Sequence, residues 1–306
     1  MRTIYDLIII GADAAGLTAG IYAGRKKVNA LILSKKIGGQ SMLTDSMENY
    51  PGFLKISGLE LVGRLKEQVD KFEVPIKEEE VFSVSGDAGN FSVKTKNGEY
   101  AAKKIIIATG SKWRPLNVPG EEKFMGKGVS VCTICDAPFY SGKDVAVIGG
   151  GNSALESAFD LLKYANKIYI LQHREKFIGD EILFEKLKKE SKVELLTSAE
   201  IKEIKGDKFV EGLVYEDLKE GKTKMLNVNG VFVNIGRIPN TSFLGGFVEL
   251  NEYGEIVIDF KTNKTSRPGV YATGDVTDTK YKQFVVAAAE GAKAALSATD
   301  SLMNQE

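Results

Sequence analysis

A short apolar strand, a glycine-rich turn and a helix occur twice in this chain, the turns opening at Gly11 and Gly149. Such a unit builds a parallel sheet, because the helix must cross back over the sheet before the next strand is laid down. In the first copy Leu7–Ile10 reads as a buried strand, Ala14 to Lys26 as a helix and Ala30–Leu33 as the next strand. In the second, the strand Val145–Ile148 is followed by a helical stripe of Ala154, Leu155, Ala158, Leu161 and Leu162, then by the strand Ile168–Leu171. A separation of this length is a duplicated α/β architecture rather than a short solenoid repeat. The 306 residues fit two domains of ~100–200 residues each. Further strands are expected at Phe91–Thr95, Lys104–Ala108, Val231–Ile235 and Val270–Ala272, and helices at Leu59–Phe72 and Phe284–Leu302. In the last helix the spacing of Ala288, Ala292 and Ala295 predicts close packing on a neighbouring helix. Candidate junctions are Trp113–Gly120 and Gly236–Gly246.

The second turn, Gly149-Gly150-Gly151-Asn152-Ser153-Ala154, fits G-x-G-x-x-G/A between a strand and a helix. Its first glycine makes the tight turn, its second admits a pyrophosphate against the backbone, and Ala154 allows close helix–strand packing. The helix N-terminus then attracts the phosphate charge. The first turn, Gly11-Ala12-Asp13-Ala14-Ala15-Gly16, has Asp13 in place of the second glycine. A carboxylate beside a pyrophosphate is repulsive unless something shields it. The acidic ribose clamp expected about 20 residues further on is also missing, since Ser34 is followed by Lys35 and Lys36.

Lys and Arg total 41, and Asp and Glu total 41, so no basic footprint points to nucleic acid or to a membrane surface. No apolar run nears the ~20 residues of a spanning helix. The start Met1-Arg2-Thr3-Ile4-Tyr5-Asp6 does not suit a secretory signal, and a cytoplasmic protein is expected. Two cysteines and one histidine exclude a disulfide-built scaffold. Cys132, Cys135 and His173 are too few for a structural zinc, which takes about four ligands, so no metal site is expected.

Cys132-Thr133-Ile134-Cys135 is a C-x-x-C, whose spacing lets two sulfurs close a small reducible ring. One thiol can attack a partner disulfide and the other can resolve the mixed disulfide. Asp136 is adjacent and can move protons to and from the leaving thiolate. The plainer reading is a pair of buried apolar cysteines.

Taken together, these features resemble the low-molecular-weight thioredoxin reductase family over nearly the whole chain. The matching segments are Gly38-Gly39-Gln40, Glu48-Asn49-Tyr50-Pro51-Gly52, Ala108-Thr109-Gly110, Cys132–Asp136, Gly149–Glu156, Gly236–Thr241, Thr273-Gly274-Asp275-Val276 and Lys282-Gln283. The resemblance implies two nucleotide-binding, Rossmann-like, three-layer α/β domains, one inserted into the other. An FAD-binding domain would comprise 1–114 and 245–306, and a pyridine-nucleotide-type domain 115–244 would carry the cysteines. It implies that Gly11, Asp13, Ala14, Gly16, Ser34, Gly39, Gln40, Asn49, Thr109, Gly110, Gly274, Asp275, Lys282, Gln283 and Phe284 surround FAD. Cys135 would face the flavin, Cys132 would attack thioredoxin, and Asp136 would be the acid/base. A homodimer is implied as well, and the extra N-terminal thioredoxin-like unit of the hydroperoxide-reductase relatives is not expected.

The family's NADPH clamp, His-Arg-Arg-x-x-x-Arg, aligns with Gln172-His173-Arg174-Glu175-Lys176-Phe177-Ile178. Only Arg174 keeps its register, with Gly149, Gly151, Asn152, Ser153 and Ala154 as the other nicotinamide-nucleotide candidates. A 2′-phosphate prefers bidentate arginines, so NADPH binding is expected to be weakened. Reduced ferredoxin, used by some members with decayed clamps, is slightly favoured as donor. A flavin dithiol oxidase and a non-catalytic redox sensor switched by Cys132–Cys135 stay open beside the disulfide reductase.

Overall fold

The computed structural model describes residues 4–44 and 47–303. Met1–Thr3, half of the stretch read against a secretory signal, lie outside the described residues. The chain divides into two compact units, Met1–Lys112 with Ile238–Glu306, and Trp113–Arg237. The sequence placed the junctions at 114/115 and 244/245. The units divide earlier at both, after Lys112 and after Arg237, within the short ladder in which Arg237–Pro239 pairs with Ser111–Trp113. Both units are α/β with a parallel sheet at the centre, and the second is inserted into the first.

In the first unit, strands Ile76–Glu78, Ala30–Ser34, Ile4–Ile10 and Gly98–Ile107 lie side by side in parallel. The long Gly98–Ile107 strand serves two further neighbours. Its first half pairs antiparallel with Asn90–Thr95, which pairs with Val81–Asp87. Its last three residues pair in parallel with Val270–Ala272 from the far end of the chain. Leu7, Ile8, Ile9, Ile105, Ile106 and Ile107 are completely buried: helices cover one face of the sheet, and apolar residues of Val81–Asp87, Asn90–Thr95 and the stretch 244–258 cover the other.

Helices Ala14–Arg25 and Phe284–Met303 pack on each other with small residues between them. A Cβ at Gly291 would lie 2.2 Å from the Ala15 carbonyl oxygen. Ala288 and Ala295 are buried as the spacing predicted, but Ala292 is only half-buried. Ala287, Gly291, Ala294 and Ala298 complete the contact face.

In the second unit the parallel order is Val193–Thr197, Lys167–Gln172, Asp144–Ile148, Gly230–Val233 and Val129–Ser130. An antiparallel sheet of Ala199–Gly206, Val210–Asp217 and Lys222–Leu226 accompanies it. Its apolar face closes one core, with Ile204, Leu213 and Tyr215 against Ile148 and Val231. Among the described residues no helix is long and apolar enough to cross a membrane.

Candidate functional site

The first glycine turn lies at the C-terminal end of its strand, against the turn that follows Gly98–Ile107. Gly11 has φ +117°, and a Cβ there would sit 2.2 Å from the Ala108 oxygen. A Cβ at Gly16 would sit 1.9 Å from the Gly11 oxygen. Both glycines therefore permit backbone approaches that no side chain allows. Asp13 needs no such freedom, since its φ of −118° is open to any L-residue. It is the N-cap of the Ala14–Arg25 helix, with Oδ1 accepting the Ala14 N–H at 2.8 Å. Its Oδ2 accepts the Ser41 hydroxyl at 2.9 Å, which ties the turn to the 3-10 segment Gly39–Leu43. Burial pushes its carboxyl above the ordinary range and the charge of Asp275 adds to this, while the Ser41 and Ala14 hydrogen bonds oppose it. No lysine or arginine forms an ion pair with Asp13 among the described residues.

Residues from both chain ends meet around this turn. Asn49 Nδ2 donates to Gln283 Oε1 at 3.3 Å. The Phe284 ring packs edge-on against Tyr50 at 5.4 Å between centroids. The Thr109 hydroxyl donates to the Asn240 carbonyl at 2.9 Å, and the Asn240 amide returns a bond to the Thr109 carbonyl at 2.8 Å. Gly110, with φ +66°, accepts the Asn240 N–H at 3.0 Å. Ser34 is buried and its hydroxyl donates to the Lys36 carbonyl at 2.9 Å.

The loop Gly274–Val276 is held from beneath. Glu290 is buried on the last helix and accepts the Gly274 N–H at 2.9 Å through one oxygen and the Thr279 hydroxyl through the other. Lys282 turns its ammonium inward, to Glu255 at 2.9 Å and to the Thr277 and Asp275 carbonyls. It shapes the loop instead of presenting a free cation. Gly274 has φ +74°, and the buried Thr273 hydroxyl beside it has no protein partner. Glu290→Ala leaves two buried donors unpaired and is expected to cost about 2–4 kcal/mol. Urea unfolding of the variant against wild type measures it, and an unchanged midpoint contradicts the role.

In the second unit Cys132 and Cys135 are joined as a disulfide, with Cα atoms 5.3 Å apart, at the start of the short helix Thr133–Asp136. Both are half-buried, and Ile134 between them is exposed. Thr133 is buried and its hydroxyl bonds Ser157 at 2.6 Å, anchoring the pair to the helix Asn152–Leu161. The Ser130 hydroxyl donates to Asp136 Oδ2 at 2.6 Å and accepts the Cys132 N–H at 3.2 Å. Ser130 thus sets both the proposed acid and the first sulfur's backbone, and no motif marks it. Burial raises the Asp136 carboxyl above its ordinary value, with the Ser130 bond opposing. Tyr140 is pushed up to about 12, by burial first and then by the Asp136 charge.

The second glycine turn keeps its shape. Gly149 has φ +135° and would place a Cβ 2.3 Å from the Asn234 oxygen, and Ala154 is completely buried. Gln172 lies across it, its Nε2 2.1 Å from where a Gly150 Cβ would stand. The Gly150 carbonyl accepts the N–H groups of Ile178 and Gly179 at 2.8 and 3.0 Å. Asn152 Oδ1 accepts the Asp180 N–H at 2.7 Å, so this side chain is used within the protein. Ser153 and Arg174 are exposed, and Arg174 lies among the exposed His173, Glu175 and Lys176.

The family described as pyridine nucleotide-disulphide oxidoreductase matches residues 5–291. This chain belongs to that family. Among curated relatives of this chain, an alkyl hydroperoxide reductase component of Escherichia coli (strain K12) is 41% identical over 99% of the chain and 59% of its own length. A Bacillus subtilis (strain 168) protein named NADH dehydrogenase is 39% identical over 98% of the chain, again 59% of its own length. The chain therefore spans 59% of each of these relatives. Among solved structures, thioredoxin reductase from Giardia duodenalis matches with a TM-score of 0.93 and 37% identity, covering 99% of this chain and all of that one. The fold of two nucleotide-binding domains is the one this chain shares with it.

Proposed function

We propose that this chain is an FAD-dependent disulfide reductase that passes electrons through Cys132 and Cys135 to thioredoxin or a similar small dithiol protein. The disulfide carries this reading, because it stands beside the half-buried Asp136 carboxyl inside a family named for disulphide chemistry. The first unit fits a dinucleotide. Gly11 and Gly16 clear the backbone, Gly274 adopts a left-handed turn, and the Thr273 hydroxyl is buried without a partner. Gly39, Gln40, Asn49, Thr109, Gly110, Asp275, Gln283 and Phe284 would line it, with Ala14 in the first helical turn and Ser34 at the end of the second strand. FAD, when bound there, would supply the two-electron redox chemistry that reduction of the disulfide requires.

The protein's own residues then complete the exchange. Reduced Cys132, as thiolate, attacks one sulfur of the partner's disulfide, and the other leaves as thiolate. Asp136, whose carboxyl burial raises above its ordinary value, supplies a proton to a leaving thiolate. Cys135 attacks the mixed disulfide, re-forming Cys132–Cys135 and freeing the partner as a dithiol.

The donor that best suits the second unit is NADH. Its glycine turn is intact while the cations for a 2′-phosphate are reduced to Arg174, and a relative carries the name NADH dehydrogenase. Reduced ferredoxin is the second reading, favoured by the same loss of clamp cations. Anaerobic bleaching of the flavin with NADH, NADPH and reduced ferredoxin in parallel tests both. Fast bleaching by NADH with NADPH at least about tenfold weaker is expected. Bleaching by ferredoxin alone moves electron entry away from the glycine turn, and preference for NADPH contradicts the clamp argument.

A further inference from the structure

Asp13 is a carboxylate where the dinucleotide turn otherwise has a glycine, and the proposed function puts a doubly anionic pyrophosphate at that turn. Among the described residues no cation pairs with it. Its oxygens accept the Ala14 N–H and the Ser41 hydroxyl and N–H, all neutral donors. The elements packed on it, Gly11–Ala12, Ala14–Gly16 and Gly39–Leu43, contribute no charged side chain. The charged group whose field reaches it is another acid, Asp275, whose loop is fixed by Glu290 and Lys282. The backbone cannot swing the carboxylate away easily. Asp13 caps the helix and its Oδ2 is tied to the Ser41 hydroxyl, with Gly39 packed close beside it.

We propose that Asp13 takes up a proton when FAD binds, so that the flavin is retained at low pH and released progressively as pH rises. The inference rests on the flavin reading above. Its balance is simple: protein with ionised Asp13, FAD and one proton give the complex with a neutral Asp13 acid, and no electron moves. A neutral acid removes the like-charge repulsion at the turn and still offers one oxygen to the Ala14 N–H. Burial already favours that form before the cofactor arrives. The sign follows from linkage. Binding that consumes a proton weakens as pH rises above the free-protein pKa, by up to about tenfold in Kd per pH unit. No histidine confuses the reading in this unit, because His173, the only one, belongs to the other.

The experiment measures the FAD dissociation constant of the full chain by flavin fluorescence between about pH 5 and pH 8. Calorimetry in two buffers of different ionisation heat counts protons. Wild type is expected to weaken at least about tenfold across that range with net proton uptake. Asp13→Asn, which keeps a helix cap, is expected to bind with a flat profile and more tightly than wild type at the alkaline end. A flat wild-type profile without proton uptake overturns the proposal, as does a slope that persists in Asp13→Asn. If Asp13→Asn does not fold, the wild-type proton count decides alone, uptake supporting the proposal and none overturning it. Wild type that binds no FAD at any pH overturns the flavin reading itself, and the proposal with it. Tight, pH-independent yellow protein overturns the proposal only.

Discussion

Cys132→Ser protein still bleaches with its donor but reduces a protein disulfide at least about a thousandfold more slowly than wild type. The attacking sulfur is gone, while the flavin unit, built from Met1–Lys112 and Ile238–Glu306, is untouched. Cys135→Ser fails differently. Cys132 can still open a partner disulfide, but nothing resolves the mixed disulfide, so a covalent adduct accumulates. Steady-state turnover with thioredoxin and intact-mass measurement separate the two variants. Equal turnover by wild type and Cys132→Ser would take the C-x-x-C out of the reaction and leave the pair as a structural bridge. A redox-sensor role would instead show as a flavin that stays inert to every donor, and a dithiol oxidase as oxygen consumption driven by a dithiol substrate.

The second large effect is expected at the first glycine turn. In Gly11→Ala the new methyl would sit 2.2 Å from the Ala108 carbonyl, at a φ of +117° that L-residues avoid. Ala108 belongs to the turn after Gly98–Ile107, the strand at the centre of the sheet, so neither side can give way cheaply. A loss of about 3–5 kcal/mol is expected from strain and displaced backbone together. That is a large part of the usual ~5–15 kcal/mol of a native fold. The variant should purify without flavin and unfold at much lower denaturant. Gly63→Ala is the control. Gly63 lies inside the helix Gly58–Lys71 with open space at its Cβ position, so alanine there should stabilise by about 0.5–1 kcal/mol. Similar midpoints for the two variants would mean that the close approach at Gly11 carries no energetic weight.

The parallel sheets were legible in the sequence because strands buried on both faces read as unbroken apolar runs and the glycine turns mark where helices begin. The antiparallel sheet of the second unit was not. In Ala199–Gly206 a bulge between Ile201 and Glu203 sets the isoleucines 201 and 204 three apart, which hides the period of two. Asp13 read as a flaw in a pattern; the structure gives it an ordinary φ and a capping role that a motif of glycines cannot express. Lys282 entered as a cofactor-binding position through the family pattern, and its ammonium is turned onto Glu255 and two carbonyls. Ser130 and Glu290 went unnoticed as site residues, while Gln172 and Asn240 lay in quoted segments without the contacts they make. Gln172, Asn240 and Glu290 act on groups distant in sequence, and Ser130 acts locally through a turn whose geometry no motif states.

The most direct test of the account is an anaerobic dithionite titration of the flavin-loaded chain, with free thiols counted at each step. The account predicts two electron pairs taken up per chain, one by the flavin and one by Cys132–Cys135, and two thiols appearing at full reduction. Uptake of a single pair, with no thiol released as the flavin is fully reduced, would contradict it.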